Sequence, residues 1–262
     1  METLQALTRY YESFDEDSRL SSRRGMVEYL TTIRYIEKYL RPGMRILEIG
    51  AATGRYSHYF ARQGYPVDAA ELIAHNIEIF RQNTAPEEQI TITRGNAKDL
   101  HIFADNTYDI TLLLGPMYHL FTEEEKLQAL SEAIRVTKKN GIIFSAYCMG
   151  DASILLYGFG RGEIYNLIQQ CMLDPVTFET FSRPWDLFAL HRKEDIDRFR
   201  NHFPVTQLHF LATDGYSNHM RETLQKMDEE MFQLYLRYHF ASCERLDLIG
   251  YSNHTLDIFR KD

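Results

Sequence analysis

Ile46-Leu47-Glu48-Ile49-Gly50-Ala51-Ala52-Thr53-Gly54-Arg55-Tyr56 begins as an aliphatic run, turns through small residues and opens into a helical pattern. A short apolar run closed by glycines predicts a buried strand with a tight turn after it. Gly50 and Gly54 let the backbone approach a ligand closely and adopt φ values that a side chain would forbid. The helix that follows aims free N–H groups back at the loop. The stretch therefore has the makings of a ligand cradle, with a plain strand–turn–helix as the alternative.

The spacing narrows the choice of ligand. A dinucleotide loop has the form G-x-G-x-x-G, in which the third glycine allows close helix–strand packing under a pyrophosphate. Counting from Gly50, that template meets Ala52 in its second slot and Arg55 in its third. The stretch fits E-x-G-x-G-x-G better, with Ala52 in the middle glycine position. In this it resembles the first motif of the class I S-adenosylmethionine-dependent methyltransferases. The resemblance implies a loop running under the amino-acid end of the cofactor, where there is no phosphate to cradle. It makes Glu48, Gly50, Ala51, Ala52, Gly54 and Tyr56 candidate cofactor residues. Arg55 and Tyr56 reach either the cofactor carboxylate or the N-terminal segment, a surface ion pair being the other reading. Ala52 is expected to tighten the loop without abolishing binding.

Three further elements follow in the family's order. Gly64–Leu72 is a second strand ending at Glu71, which directly precedes a helix over Ile73–Gln82. An acid at that place can accept hydrogen bonds from both ribose hydroxyls; it can equally serve as a dipole-stabilised helix N-terminal acid. Gln89–Arg94 alternates as a strand, and Asn96-Ala97 after it resembles the segment that meets the adenine. Tyr108–Leu114 is a buried strand running into Gly115-Pro116-Met117-Tyr118-His119-Leu120, which resembles the motif at the junction of cofactor and acceptor. Leu72, Leu114 and Gly115 join the expected cofactor contacts.

Composition sets the outer limits. The chain has 262 residues, enough for one α/β domain with insertions, and its 44% hydrophobic and 25% charged content is ordinary for a globular protein. No apolar run is long enough to span a bilayer. Met1-Glu2-Thr3-Leu4 lacks the basic and apolar pattern of a signal peptide. Cys148, Cys171 and Cys243 have no metal-type spacing, so no metal is expected and the thiols read as reduced in a cytoplasmic protein. A formal charge of −8 disfavours nucleic acid as substrate, because phosphate backbones are held by lysine and arginine. Oligomeric state is left open.

Alternating strands and helices from Met44 to about Met149 predict a doubly wound, mostly parallel α/β sheet with helices on both faces. Thr122 caps a helix over Glu123–Lys138 with Glu125 completing a capping box, Lys139-Asn140-Gly141 ends it, and Ile142–Met149 is the fifth strand. Val205–Ala212 and Thr255–Arg260 alternate as strands. The resemblance implies that they close a seven-stranded sheet as an antiparallel hairpin. Residues 1–41 form an N-terminal helical segment carrying Tyr10, Tyr11 and Phe14. Residues 42–262 form the main domain, with a helical insertion at about 150–191 rich in Tyr157, Phe159, Tyr165, Phe178, Phe181, Trp185 and Phe188. By resemblance these two regions act as a lid, with Tyr11 closing over the cofactor; a satellite core is the other reading.

The resemblance implies transfer of a methyl group from S-adenosylmethionine to an N or O atom of a small acceptor, leaving S-adenosylhomocysteine. In-line displacement needs alignment above all, and a base only when the acceptor arrives protonated. Tyr118 and His119 are the candidate catalytic residues, a structural hydrogen bond being the alternative for His119. His191, His202, His209, His219 and His254 are expected to be structural, His219 lying in a loop over Asp214–His219. Three other functions stand beside this one: a nucleotide-dependent oxidoreductase, a methyltransferase-like fold that binds cofactor or a partner without catalysis, and methylation of RNA or protein.

Overall fold

The computed structural model describes residues 2–13 and 16–262; Phe14 lies outside them. Three helices come first, α1 (Glu2–Ser13), α2 (Glu16–Ser21) and α3 (Arg23–Glu37). The sheet then builds as β1 (Ile46–Ile49), α4 (Arg55–Arg62), β2 (Val67–Glu71), α5 (Ala74–Asn83), β3 (Ile90–Arg94), β4 (Tyr108–Leu113), α6 (Glu123–Val136) and β5 (Thr137–Met149). The insertion carries α7 (Gly150–Ser153), a π-helical turn (Ile154–Phe159), α8 (Ile164–Gln169) and a two-residue strand β6 (Leu190–His191). The chain ends with α9 (Lys193–Arg200), β7 (Val205–Ala212), α10 (Arg221–Lys226), α11 (Glu229–Ser242), α12 (Leu246–Ile249) and β8 (His254–Lys261).

The strand order is β3-β2-β1-β4-β5-β8-β7, with β6 pairing on β5. Only β8 runs antiparallel to its neighbours β5 and β7. The expected seven-stranded, mostly parallel sheet is thus present, with β6 as an addition. Period-two alternation divides β1 between two cores: Leu47 and Ile49 pack toward α6 and α9, whereas Ile46 packs toward α3 and α4. Both faces are covered, as parallel sheets require.

One boundary differs from expectation. The capping box of Thr122 and Glu125 is present, but α6 ends at Val136 rather than Lys138. Thr137 turns into extended backbone, its hydroxyl donating to Ala133 O at 2.6 Å. Asn140 takes φ +62, so the Lys-Asn-Gly segment is an irregularity at the start of β5 instead of a helix end.

The insertion buries few of its aromatics. Its apolar interior is a small cluster of Ile154, Ile164 and Leu173. Tyr157, Phe159, Tyr165, Phe178, Phe181 and Trp185 are exposed, so these expected lid aromatics face outward. Phe188 alone of that set turns inward, against Tyr10, Tyr118 and His119. The helices between β7 and β8 had no sequence signature; α11 packs Phe232 and Leu236 against Val27 of α3.

Candidate functional site

A cavity of about 370 Å³ opens at the carboxyl ends of β1 to β4, where ligands bind in open α/β sheets. Its floor is the loop after β1. Gly50 has φ +73, and a Cβ there would stand 2.8 Å from Pro116 Cδ, so glycine lets the loops after β1 and β4 meet. Ala52 takes φ +46, a costly conformation for a residue with a Cβ. Its N–H donates to Glu71 Oε2 at 2.8 Å, and Ile73 N–H donates to Glu71 Oε1 at 2.8 Å. One carboxylate therefore ties the glycine loop to the start of α5. Burial pushes the Glu71 carboxyl up, against the Ile73 and Ala52 bonds.

Nine of the sequence candidates line this cavity together: Tyr11, Gly50, Ala52, Glu71, Leu72, Asn96, Ala97, Gly115 and His119. Asn96 Oδ1 accepts Lys98 N–H at 3.1 Å, which fixes the turn at that wall. Leu4, Leu7 and Tyr11 of α1 share one helical face and line one wall of the cavity.

Seven candidates, Tyr118 among them, lie outside the cavity wall. Glu48 is 2% exposed and shares the Ile46 face of β1, so its Oε2 meets Ser57 N–H at 3.0 Å and the Ser57 hydroxyl at 2.5 Å. Ala51 donates its N–H to Ala70 O. Gly54 is the left-handed N-cap of α4, facing Phe80. Tyr56 packs against Tyr29 in the core, with ring centroids 5.2 Å apart and the planes tilted by 37°. Leu114 packs into the α3/α4 core, and its carbonyl accepts the Tyr118 hydroxyl at 3.0 Å. Arg55 reaches the N-terminal segment: it donates to Ser21 Oγ at 2.8 Å and lies over the Tyr29 ring.

Burial, with the charge of Glu71 adding and the Ser57 bonds opposing, pushes Glu48 up to about 8. Its folded value lies above its ordinary 4.5, so the stability it contributes is full below pH 4.5 and is lost as pH rises through about 8. The thermal midpoint of the cofactor-free protein is therefore expected to fall over that interval. The loss amounts to several kcal/mol of stability, at ~1.4 kcal/mol per pKa unit, and Glu48→Gln should flatten the fall; scanning calorimetry at a series of pH values reads it.

His119 does not present a free base. Its Nδ1 donates to Leu187 O at 2.8 Å, and its Nε2 accepts the Tyr11 hydroxyl at 2.9 Å. Burial, against the Leu187 bond, pushes it down to about 4. With both nitrogens engaged, His119 joins α1, the loop after β4 and the insertion. Ala189 N–H adds a bond to Tyr118 O at 2.8 Å. The other histidines named from sequence meet protein partners, His191 Cys148 O, His202 Glu123 at 3.7 Å, His209 Glu244 and Tyr39, and His219 Tyr251 O. His254 is different in that two carboxylates face it.

The donor set discriminates between cofactors. The charged residues on the cavity wall are Glu71, Glu125 and Lys98, and Lys98 is paired to Glu125 at 2.6 Å. A pyrophosphate would find no unpaired cation among them, whereas a nucleoside with a sulfonium suits an acid-bearing wall. The residues present fit S-adenosylmethionine: Glu71 would meet the ribose, Asn96 and Ala97 the base, and Gly50 with Gly115 the amino-acid end.

Comparison with known proteins agrees with this geometry. A family model described as a methyltransferase domain matches residues 47–145. An S-adenosyl-L-methionine-dependent Diels-Alderase of Talaromyces variabilis is 29% identical over 106 residues, 39% of this chain and 35% of that protein. A demethylmenaquinone methyltransferase of Renibacterium salmoninarum is 33% identical over 101 residues, 38% of this chain and 39% of that protein. The chain thus matches well under half the length of these curated relatives. Among solved structures, a possible histamine N-methyltransferase of Thermotoga maritima aligns with TM-score 0.60 at 16% identity, covering 99% of this chain and 100% of the other.

Proposed function

We infer that this chain, whose residues 47–145 match a methyltransferase domain, is a class I S-adenosylmethionine-dependent methyltransferase that moves the cofactor's methyl group to an N or O atom of a small-molecule acceptor. The observation that supports this best is the cavity wall, which offers a carboxylate, Glu71, suited to ribose hydroxyls and no unpaired cation for phosphate. In an in-line displacement the acceptor's lone pair forms the new bond to the methyl carbon while the C–S pair returns to sulfur. Little is asked of the protein beyond holding three atoms in line and excluding water.

Tyr11, His119 and Leu187 supply the closure. The first lies on the N-terminal segment (1–41) and the last in the insertion (150–191), and the two regions form the lid of the main domain (42–262). Tyr11→Phe leaves His119 Nε2 without its donor. Losing one hydrogen bond of ~1 kcal/mol should weaken S-adenosylhomocysteine binding about fivefold. The change should fall mainly on the dissociation rate, which stopped-flow fluorescence measures.

The free state of Cys148, Cys171 and Cys243 supports a cytoplasmic setting. No helix among the described residues is long and apolar enough to cross a membrane. A second reading, cofactor binding without methyl transfer, is favoured by one observation: one matched relative is named as a Diels-Alderase dependent on the same cofactor. Incubation with methyl-labelled S-adenosylmethionine and panels of amines, phenols and carboxylic acids separates the two. Label in an acceptor supports transfer; cofactor binding with label retained on sulfur throughout supports the second reading.

A further inference from the structure

A titratable cluster lies beyond the cofactor cavity at the same edge of the sheet. Because β8 runs antiparallel, its first residue, His254, sits opposite Cys148 near the carboxyl end of β5. The Tyr118 ring comes next, centroids 6.3 Å apart. Its hydroxyl bonds Leu114 O, beside Gly115 on the cavity wall. His254 is thus one aromatic ring away from the amino-acid end of the cofactor site, on the side opposite the adenosine end at Glu71 and Asn96.

The imidazole is held from one side only. Nδ1 lies 2.8 Å from Asp214 Oδ2 and 3.6 Å from Glu28 Oε2, which puts its hydrogen there. The carboxylates are already filled by donors. Asp214 is fully buried; Oδ1 accepts the Ser252 hydroxyl at 2.6 Å and His254 N–H at 3.1 Å, and Oδ2 also accepts Asn218 Nδ2 at 2.7 Å. Glu28 accepts Arg19 at 2.6 and 3.2 Å. A metal ion would have to displace these donors, so the cluster reads as a mount for the ring. His254 Nε2 has no hydrogen-bond partner among the described residues, and the side chain keeps 24% exposure.

We propose that His254 is an acceptor-recognition residue whose Nε2–H pairs with an anionic oxygen, a carboxylate or phenolate, carried by the small acceptor. The charge state supports it. Burial alone would lower His254, but Glu28, then Cys148 and Asp214, hold it well above its ordinary 6.5. Against burial, Arg19, His254 and Arg24 hold Glu28 down to about 2. Arg24 also bonds Asn218 Oδ1, and Tyr235 and His239 of α11 border Asp214. An imidazolium with both acids behind it presents one N–H donor and its charge forward.

The inference rests on the methyl-transfer reading, and one titration series tests both in separate steps. The full chain is first titrated calorimetrically with S-adenosylhomocysteine; absence of binding overturns the parent reading and this inference with it. The saturated complex is then titrated with benzoate and with benzamide. Benzoate is expected to bind and benzamide not. His254→Gln should weaken benzoate roughly 10- to 100-fold with S-adenosylhomocysteine affinity unchanged. Benzoate binding is present while His254 is charged and is lost as pH rises through its pKa. Glu28→Gln lowers that pKa, so the upper pH limit of binding should move down, a shift that a merely structural histidine would not produce. Failure of benzoate to bind, equal binding of the two probes, or a His254→Gln variant that binds benzoate as the parent does overturns the proposal.

Discussion

Glu71→Ala is expected to lower affinity for S-adenosylmethionine and S-adenosylhomocysteine roughly 100-fold or more. The carboxylate does two jobs at once. Its oxygens hold the N–H groups of Ala52 and Ile73, so it keeps the loop after β1 in a left-handed turn that Ala52 would not choose alone. The same side chain lines the cavity where the ribose hydroxyls would arrive. Each hydrogen bond to a charged acceptor contributes ~1.5–3 kcal/mol, so losing two costs at least two decades of affinity. Glu71→Gln separates the jobs: one oxygen still accepts a loop N–H, but its amide donor faces the other. An intermediate loss, read by calorimetry, is the expected result. If Glu71→Ala folds and binds S-adenosylhomocysteine as the parent does, the cavity is not the cofactor site.

Gly54→Ala is expected to lower the thermal midpoint by about 6–12 °C. Gly54 has φ +90, where a Cβ would stand 2.5 Å from two ring carbons of Phe80 and 2.8 Å from His58 Nε2. Neither neighbour can step aside. Phe80 is fully buried, and His58 is fixed by its bond to Glu88 at 2.6 Å. Overpacking together with a forbidden φ costs ~3 kcal/mol or more. At 2–4 °C per kcal/mol for a domain of this size, that gives the shift stated. Cofactor affinity should fall with it, because Gly54 starts the helix whose N–H groups face the loop. A Gly54→Ala protein that melts within a degree of the parent would mean that the loop can re-form without glycine.

The residues that specify this site differ in how visible they are in the sequence. The β1 loop, Glu71, Asn96-Ala97 and the Gly115 loop are legible because each is local: a strand ends, a small or acidic residue follows, and a helix or turn begins. Their spacing along the chain is the spacing of the parallel strands, so order in sequence becomes adjacency at one sheet edge. Glu48 shows the limit of this logic. The motif places it beside the cofactor, but strand alternation turns it to the face of Ile46, where Ser57 satisfies it. The role of His119 could not be read from its motif, since its partners Tyr11 and Leu187 lie 108 and 68 residues away. The Glu28, Asp214 and His254 cluster is less legible still. Its members come from α3, the turn after β7 and the start of β8, and only the antiparallel placement of β8 brings them together. The outward aromatics of the insertion could not be told from core by composition, because one-sided burial leaves no regular period in so irregular a segment.

The central claim is that the cavity holds S-adenosylmethionine and not a phosphorylated dinucleotide. Calorimetric titration of the unmodified chain with S-adenosylhomocysteine and, separately, with NAD tests it most directly. The first is expected to bind with Kd on the order of micromolar, about −8 kcal/mol, and the second to show no measurable binding. Micromolar binding of NAD with no heat from S-adenosylhomocysteine would contradict it.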